Sequence, residues 1–295
     1  MADEQIPSAA DDLGAHLLGR KPSPPDERDF KARWFLAGPK SAKTHKEIVA
    51  RAREELKLTT VGYKNKYWTE APESTHWYRA LALLAQIAPE EPVTPDPTPT
   101  PDPTPTPDPT SDVVYKDDHQ LDQGQTGHCV GFGWAQWGNT EPIVDDYVDD
   151  DGHAIYYECK VIDGEPKQEN GTFVRTGAQA MQDRKRETLY AAATTIQEIK
   201  DWIQSGKGSV VVGTDFYNDM FEPDANGYVK PTGGIAGGHC FLLVGDLVSE
   251  GAFLFQNSWG KSWGQNGYFK MKYEDFDKLL QADGEAYVTV EDPLA

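Results

Sequence analysis

The chain has 295 residues with 38% hydrophobic content, enough for a real core and for one large domain or two modest ones. A formal charge of −20 argues against phosphate backbones and anionic membrane surfaces, so neither nucleic acid nor a membrane is an expected partner. No run approaches the roughly 18 apolar residues of a membrane span, and the acidic N-terminal segment is unlike a Sec signal, so a cytoplasmic or virion-associated protein is expected.

In chain order, residues 1–41 read as a leader and residues 42–91 as a small helical module. Thr44-x-x-Glu47 is a capping box, followed by Ile48, Val49, Ala52 and Leu56 on one helical face. A second helix is predicted after Ser74 or Thr75, with Trp77, Leu81, Leu84 and Ala88 in register. Residues 92–111 are a Pro/Thr/Asp tether in which TPDPTP recurs; proline fixes φ and removes donors, so an extended spacer is expected. It can hold two bodies roughly 50–60 Å apart. The 42–91 module reads either as an anchor, to a virion or a cell wall, or as a helical appendage.

Residues 112–295 mix helices and strands without regular alternation, which favours an α+β domain. The acidic run Asp145 to Gly152 partly matches a calcium loop, but Tyr147 stands where the first carboxylate is required, so a solvated loop is expected. Thr195-x-x-Glu198 caps a predicted helix with Ile196, Ile199 and Ile203 on one face, and Gly206 ends it. Strands are expected at Val210 to Val212, Phe241 to Val244, Phe253 to Gln256, Tyr268 to Met271 and Ala286 to Val290.

Three blocks in this region carry chemistry. Three cysteines, Cys129, Cys159 and Cys240, are too few and too odd a set for a disulfide framework, which leaves at least one thiol free. Cys129 follows a glycine-rich turn and precedes the apolar run Val-Gly-Phe-Gly-Trp-Ala, which predicts a helix with the cysteine at its N-terminus. Unpaired amides and the helix dipole there favour a thiolate, and the Cys129 amide and Gln123 can donate to an oxyanion. His239 stands between the small Gly237 and Gly238 and an apolar strand, leaving room for substrate beside its ring. Asn257 ends an apolar strand, where it can hold a histidine ring, and Trp259 can shield that bond from water. Cys159 and Cys240 read as small buried hydrophobes.

The order Cys129, His239, Asn257, with Gln123 ahead and Asn257 opening an Asn-Ser-Trp-Gly run, resembles the papain family of cysteine peptidases. The resemblance implies a two-lobe domain over 112–295, a helical lobe beside an antiparallel β lobe, acting on protein or peptide without metal or cofactor. It implies Cys129 as nucleophile, His239 as base, Asn257 as the group orienting that base and Gln123 as oxyanion donor. Asn170-Gly171-Thr172 resembles the segment that pairs with substrate backbone, and Val210 to Gly213 the strand beside the pocket for the second residue before the cut. Pro24 to Phe30 is similar to a leader of bacterial and phage-borne members that rests on the catalytic domain.

The sequence also departs from the family. His128 replaces a small residue and is expected at the groove edge, Val130 replaces a tryptophan, and Thr126 replaces the cysteine of a nearby disulfide. His239 and Asn257 follow Cys129 sooner than the about 130 to 150 residues usual in the family. Peptide hydrolysis is therefore the expected activity. The other readings are a catalytically silent structural part of a phage particle and a cell-wall-cleaving thiol amidase.

Overall fold

The computed structural model describes residues 18–23, 30–31, 111–115, 119–142 and 144–291. The 42–91 module and nearly all of the tether lie outside the described residues. So does most of Pro24 to Phe30, of which Phe30 alone is described.

Two lobes share one interface. The first is built on helices α1 (Cys129–Asn139), α2 (Asp149–Ile162) and α3 (Val174–Asp183). The second is a sheet of long antiparallel strands: β5 (Glu187–Ala192), β6 (Val210–Tyr217), β7 (Ile235–Leu247), β8 (Ala252–Gln256), β9 (Tyr268–Lys272) and β10 (Glu285–Glu291). They run in the spatial order β5-β10-β6-β7-β8-β9, with every neighbouring pair antiparallel. Helices α4 (Ile196–Gln204) and α5 (Tyr273–Ala282) cover this sheet. Short strands β1 (Arg20–Lys21), β2 (Phe30–Lys31), β3 (Val113–Val114) and β4 (Thr172–Phe173) complete the pairing: β1 with β4, β2 with β5 and β3 with β7. The expected α+β architecture and every strand expected in 112–295 are present.

The local reasons are those the residues supply. Thr195 Oγ1 accepts from the Glu198 amide at 3.1 Å and Gly206 takes φ 76° after the helix ends, so α4 lies where its capping box placed it. Ile199 and Ile203 are buried beneath it with Trp202. Every residue of α1 is buried, because the helix is wedged between α2 and α3 on one side and β6 and β7 on the other. Two glycines make the α1–α2 approach possible: a Cβ on Gly131 would collide with the Gly152 carbonyl, and one on Gly152 would sit 2.7 Å from the Phe132 ring. Trp134 lies over Gly177 of α3 and donates its indole N–H to Val174 O at 2.9 Å.

The acidic run corrects one expectation. Asp149, Asp150 and Asp151 form the first turn of α2, where carboxylates face the positive helix end. Asp151 accepts from the Val148 amide at 2.9 Å, and Asp149 from the Asp122 amide at 2.9 Å. Asp145 to Val148 are an irregular, largely exposed segment as expected, whereas Asp149 to Gly152 start a helix that also ties down the loop before Gln123. Strand β5 had no clear sequence signal; it is sheltered between β2 and β10.

Replacing Gly131 with alanine should overpack the α1–α2 contact and destabilise the fold by about 1–3 kcal/mol. A urea titration should show a lower midpoint at unchanged slope. An unchanged midpoint would remove this contact from among the determinants of lobe packing.

Candidate active site

Cys129 opens α1 and is fully buried, as are His239 in β7 and Asn257 just after β8. His239 Nε2 and Asn257 Oδ1 are 2.8 Å apart, and the same oxygen accepts from the Ser258 amide at 2.8 Å. Trp259 stacks on the His239 ring at 4.8 Å between centroids, and Phe216 meets it edge-on at 5.0 Å. The imidazole thus packs in a cluster with two aromatic rings, which also touch each other, with the asparagine at one nitrogen. The Cys240 amide, one residue beyond His239, lies close enough to favour the Cys129 thiolate, which places the start of α1 beside the strand that carries His239.

Gln123 sits in the loop before α1, and that loop is stitched to the Asn257 loop. Gln123 N donates to Ser258 O at 2.9 Å, Gly260 N to Leu121 O at 3.1 Å, and Ser258 Oγ to Gln123 Oε1 at 2.7 Å. Gln123 Nε2 donates to Thr126 O at 2.6 Å. From α1, Gln136 Nε2 reaches the Asn257 carbonyl at 3.1 Å. Gln123, Cys129, His239, Asn257 and Trp259 are therefore gathered in one place from four separated segments.

The groove beside them is filled by the chain's own leader. Strand β1 pairs in parallel with β4, Arg20 opposite Thr172 and Lys21 opposite Phe173, and Thr172 N donates to Gly19 O at 2.9 Å. Gly19 passes so close to the Gly127 carbonyl and to Gly171 that a Cβ on Gly19 or on Gly171 would collide. A Cβ on Gly237 would touch Leu18, and one on Gly238 would strike the Arg20 carbonyl. Gly171, Thr172, Gly213 and Gly238, read from sequence as substrate-binding positions, all contact this segment. The backbone amide of Gly19 is directed at the Cys129 thiol.

Two expectations are corrected here. Burial under the leader pushes the Cys129 thiol up to about 11, against the pull of the Cys240, Gly19 and Val130 amides and the Arg20 guanidinium. The depressed thiol expected at a helix N-terminus is thus absent while the groove is occupied. His128 is buried away from the groove edge, stacked on Tyr156 at 3.7 Å between centroids. Its Nδ1 lies 2.8 Å from His153 Nδ1 and its Nε2 2.8 Å from Glu169 Oε2. Desolvation lowers the His128 pKa despite Glu169, so the ring is neutral: it donates to Glu169 and accepts from His153. Among the described residues Cys159 and Cys240 are free and buried, as expected of small hydrophobes.

Sequence reasoning missed Arg20 and Glu285. Arg20 has no exposed side-chain surface, its Nη2 lies 3.1 Å from Glu285 Oε1, and Glu285 also accepts from Ser23 Oγ at 2.8 Å. Desolvation raises the Glu285 pKa, and Arg20 opposes that rise. Nothing near either residue in sequence signals the pair.

A family profile described as "Papain family cysteine protease" matches residues 122–288. The chain belongs to the papain family of cysteine proteases. It is 31% identical over 86 residues to cathepsin B-like cysteine proteinase 5 of Caenorhabditis elegans, covering 28% of this chain and 25% of that one. It is 41% identical over 59 residues to an uncharacterized peptidase C1-like protein of Acanthamoeba polyphaga mimivirus, covering 20% and 19%. These alignments span a quarter or less of the relatives' length. Among solved structures, Xylellain, a cysteine protease from Xylella fastidiosa, superposes with a TM-score of 0.54 at 17% identity over 92% of this chain and 95% of that one. That likeness is one of fold.

Two measurements test this site. At pH 7 iodoacetamide should label Cys129 of the full chain on the order of 100-fold more slowly than free cysteine, because a thiol near 11 holds far less thiolate than one near 8.5. Mass spectrometry assigns the label; labelling as fast as free cysteine would refute a seated leader. For His128, a folded pKa below that of the unfolded chain means stability is fully present above about 6.5 and declines as pH falls below it. Unfolding free energy should therefore drop between pH 7 and 5, and by less in His128→Gln.

Proposed function

We propose that the chain hydrolyses peptide bonds through a covalent thioester on Cys129. The observation carrying this reading is the buried His239–Asn257 contact at 2.8 Å beside a cysteine that opens a helix. With Nε2–H donating to Asn257 Oδ1, the neutral imidazole presents its Nδ1 lone pair as a base. Nδ1 takes the Cys129 proton, and the thiolate adds to the substrate carbonyl carbon. The oxygen so charged accepts from the Cys129 amide, one of the unpaired donors at a helix start, and from Gln123 Nε2. Protonated His239 gives its proton to the departing amine as the C–N bond breaks. Water, deprotonated by His239, then opens the thioester, releasing the acid and restoring the thiol.

In this reading Asn257 and Trp259 are positioning residues: one holds the ring's tautomer and the other shields that bond. The leader is a restraint. It offers sulfur an amide N–H where a substrate would offer a carbonyl carbon, so the seated leader blocks attack and must leave before turnover.

Cys129→Ala should abolish cleavage of casein or fluorogenic peptides. Gln123→Ala should lower kcat on the order of 100- to 1000-fold, and Asn257→Ala should lower kcat far more than it raises KM. Leu18→Asp, which weakens the seat at Gly237, should raise the activity of the full chain. Full activity in Cys129→Ala would sink the assignment.

A further inference from the structure

The peptidase reading uses the groove and leaves a buried cation beside it without a role. Lys160, on α2, is as inaccessible as Trp134 and Trp202. An ammonium has three donors and no acceptor, and here all three are engaged: Nζ donates to Glu165 Oε2 and Asn170 Oδ1, each at 2.8 Å, and to Gly171 O at 2.9 Å. The first two acceptors do not account for the burial. Glu165 has a side chain 34% exposed, and the leader's Lys21 donates to the same two oxygens at 3.0 and 3.1 Å. The buried Gly171 carbonyl is the acceptor that only an inward-facing lysine reaches.

One peptide unit connects that carbonyl to the groove. Gly171 O and the Thr172 amide belong to the same planar trans unit, in which C=O and N–H point in opposite directions. Lys160 holds the oxygen toward α2, and the amide therefore faces the other way, where it donates to Gly19 O at 2.9 Å. The preceding unit is held from the same helix, Gly171 N donating to the Tyr156 hydroxyl at 3.2 Å. Tyr156 and Lys160 are four residues apart on α2 and so share a face. Asp163, which caps the helix, accepts from Thr172 Oγ1 at 2.6 Å. Such a grip has a purpose at Gly171, which stands at φ 77° and, as a glycine, can turn its peptide planes at little cost. A rotated 171–172 unit would turn a carbonyl oxygen toward the groove in place of the N–H.

We infer that Lys160 is a positioning residue for substrate: it acts through the Gly171–Thr172 peptide unit, orienting and polarising the amide that binds a backbone carbonyl in the groove. The inference rests on the peptidase reading and concerns how that site grips a peptide backbone, whatever its side chains. A cation is better suited to this than a neutral donor. A charge-assisted bond to Gly171 O draws electron density from the whole unit, which makes the Thr172 N–H a stronger donor, and burial keeps water from weakening the effect. The Thr172 amide meets the occupant away from the reacting carbon, so its bond is made equally in bound substrate and in the transition state. The contribution of Lys160 therefore belongs in KM and not in kcat.

The test uses the full chain carrying Leu18→Asp, which weakens the leader's seat, and two substrates: a fluorogenic peptide, and p-nitrophenyl acetate, an ester with no amide to pair with β4. Lys160→Met keeps the aliphatic stem and loses the ammonium. Expected is a KM for the peptide raised roughly 3- to 10-fold, the range of one hydrogen bond, with kcat within about twofold. Ester hydrolysis should change by less than about twofold. Tyr156→Phe, which keeps the ring that stacks on His128, should raise the peptide KM in the same sense by less, so that a folding failure of one variant leaves the other to report. An unchanged KM in both variants would overturn the positioning role and leave the peptidase reading intact. So would equal losses on peptide and ester, the mark of a loosened fold that damages the site for every substrate. Ester hydrolysis through Cys129 with no peptide cleaved by any variant would overturn both.

Discussion

The packing of α1 against β7 is the constraint on which the site depends. Gly133 of α1 faces the Cys240 sulfur so closely that a Cβ would lie 2.8 Å from it, and this approach sets the helix start beside the strand that carries His239. The same helix presents Phe132, Trp134 and Trp137 to the interior, each essentially inaccessible. Burying one such side chain is worth about 1.5–3 kcal/mol, whereas a typical hydrogen bond within the site nets about 0.5–1.5 kcal/mol. Packing therefore decides where the reacting atoms stand, and hydrogen bonds refine their orientation.

The polar framework is layered on that packing. The Gln123 loop and the Asn257 loop are joined by backbone and side-chain hydrogen bonds, and Gln136 fastens the second loop to α1 from below. Gln123, Cys129 and Asn257 thus share supports, as the roles proposed for them require of a preorganised charge-stabilising site. The rings of Trp259 and Phe216 keep water from the imidazole, strengthening the contact they enclose.

The leader occupies the groove through the positions proposed above to bind substrate. It gains little from backbone pairing, since β1 and β4 are two residues each. Its hold comes from filling the groove: Leu18 against Gly237, Gly19 between Gly127 and Gly171, Arg20 onto Glu285. A buried ion pair contributes modest net stability because desolvation offsets its attraction. The raised Cys129 thiol pKa comes from burial, and the leader's Gly19 amide pulls against it.

What the sequence by itself determined was chemistry with a local signature. Gln123, Cys129, His239, Asn257 and Trp259 stand in short motifs whose residue types point to the uses proposed for them. The strands from Val210 onward and the capped helix at Ile196 follow from period and caps. The acidic run at Asp149 misled because carboxylates favour a helix start and a solvated loop alike, and only the packing of Gly152 on Phe132 distinguishes them. His128 was placed at the groove edge by its neighbour, but its orientation was settled by Tyr156, His153 and Glu169 from other segments. The Arg20 pocket was invisible for the same reason. It is assembled from Arg20, Val174, Gly213, Gly238 and Glu285, which share no periodicity and meet only when the lobes close around the leader. Sequence pattern records what each segment does to its own backbone and faces; burial, ionisation and pocket shape are properties of contacts between distant segments, and those the tertiary structure alone decided.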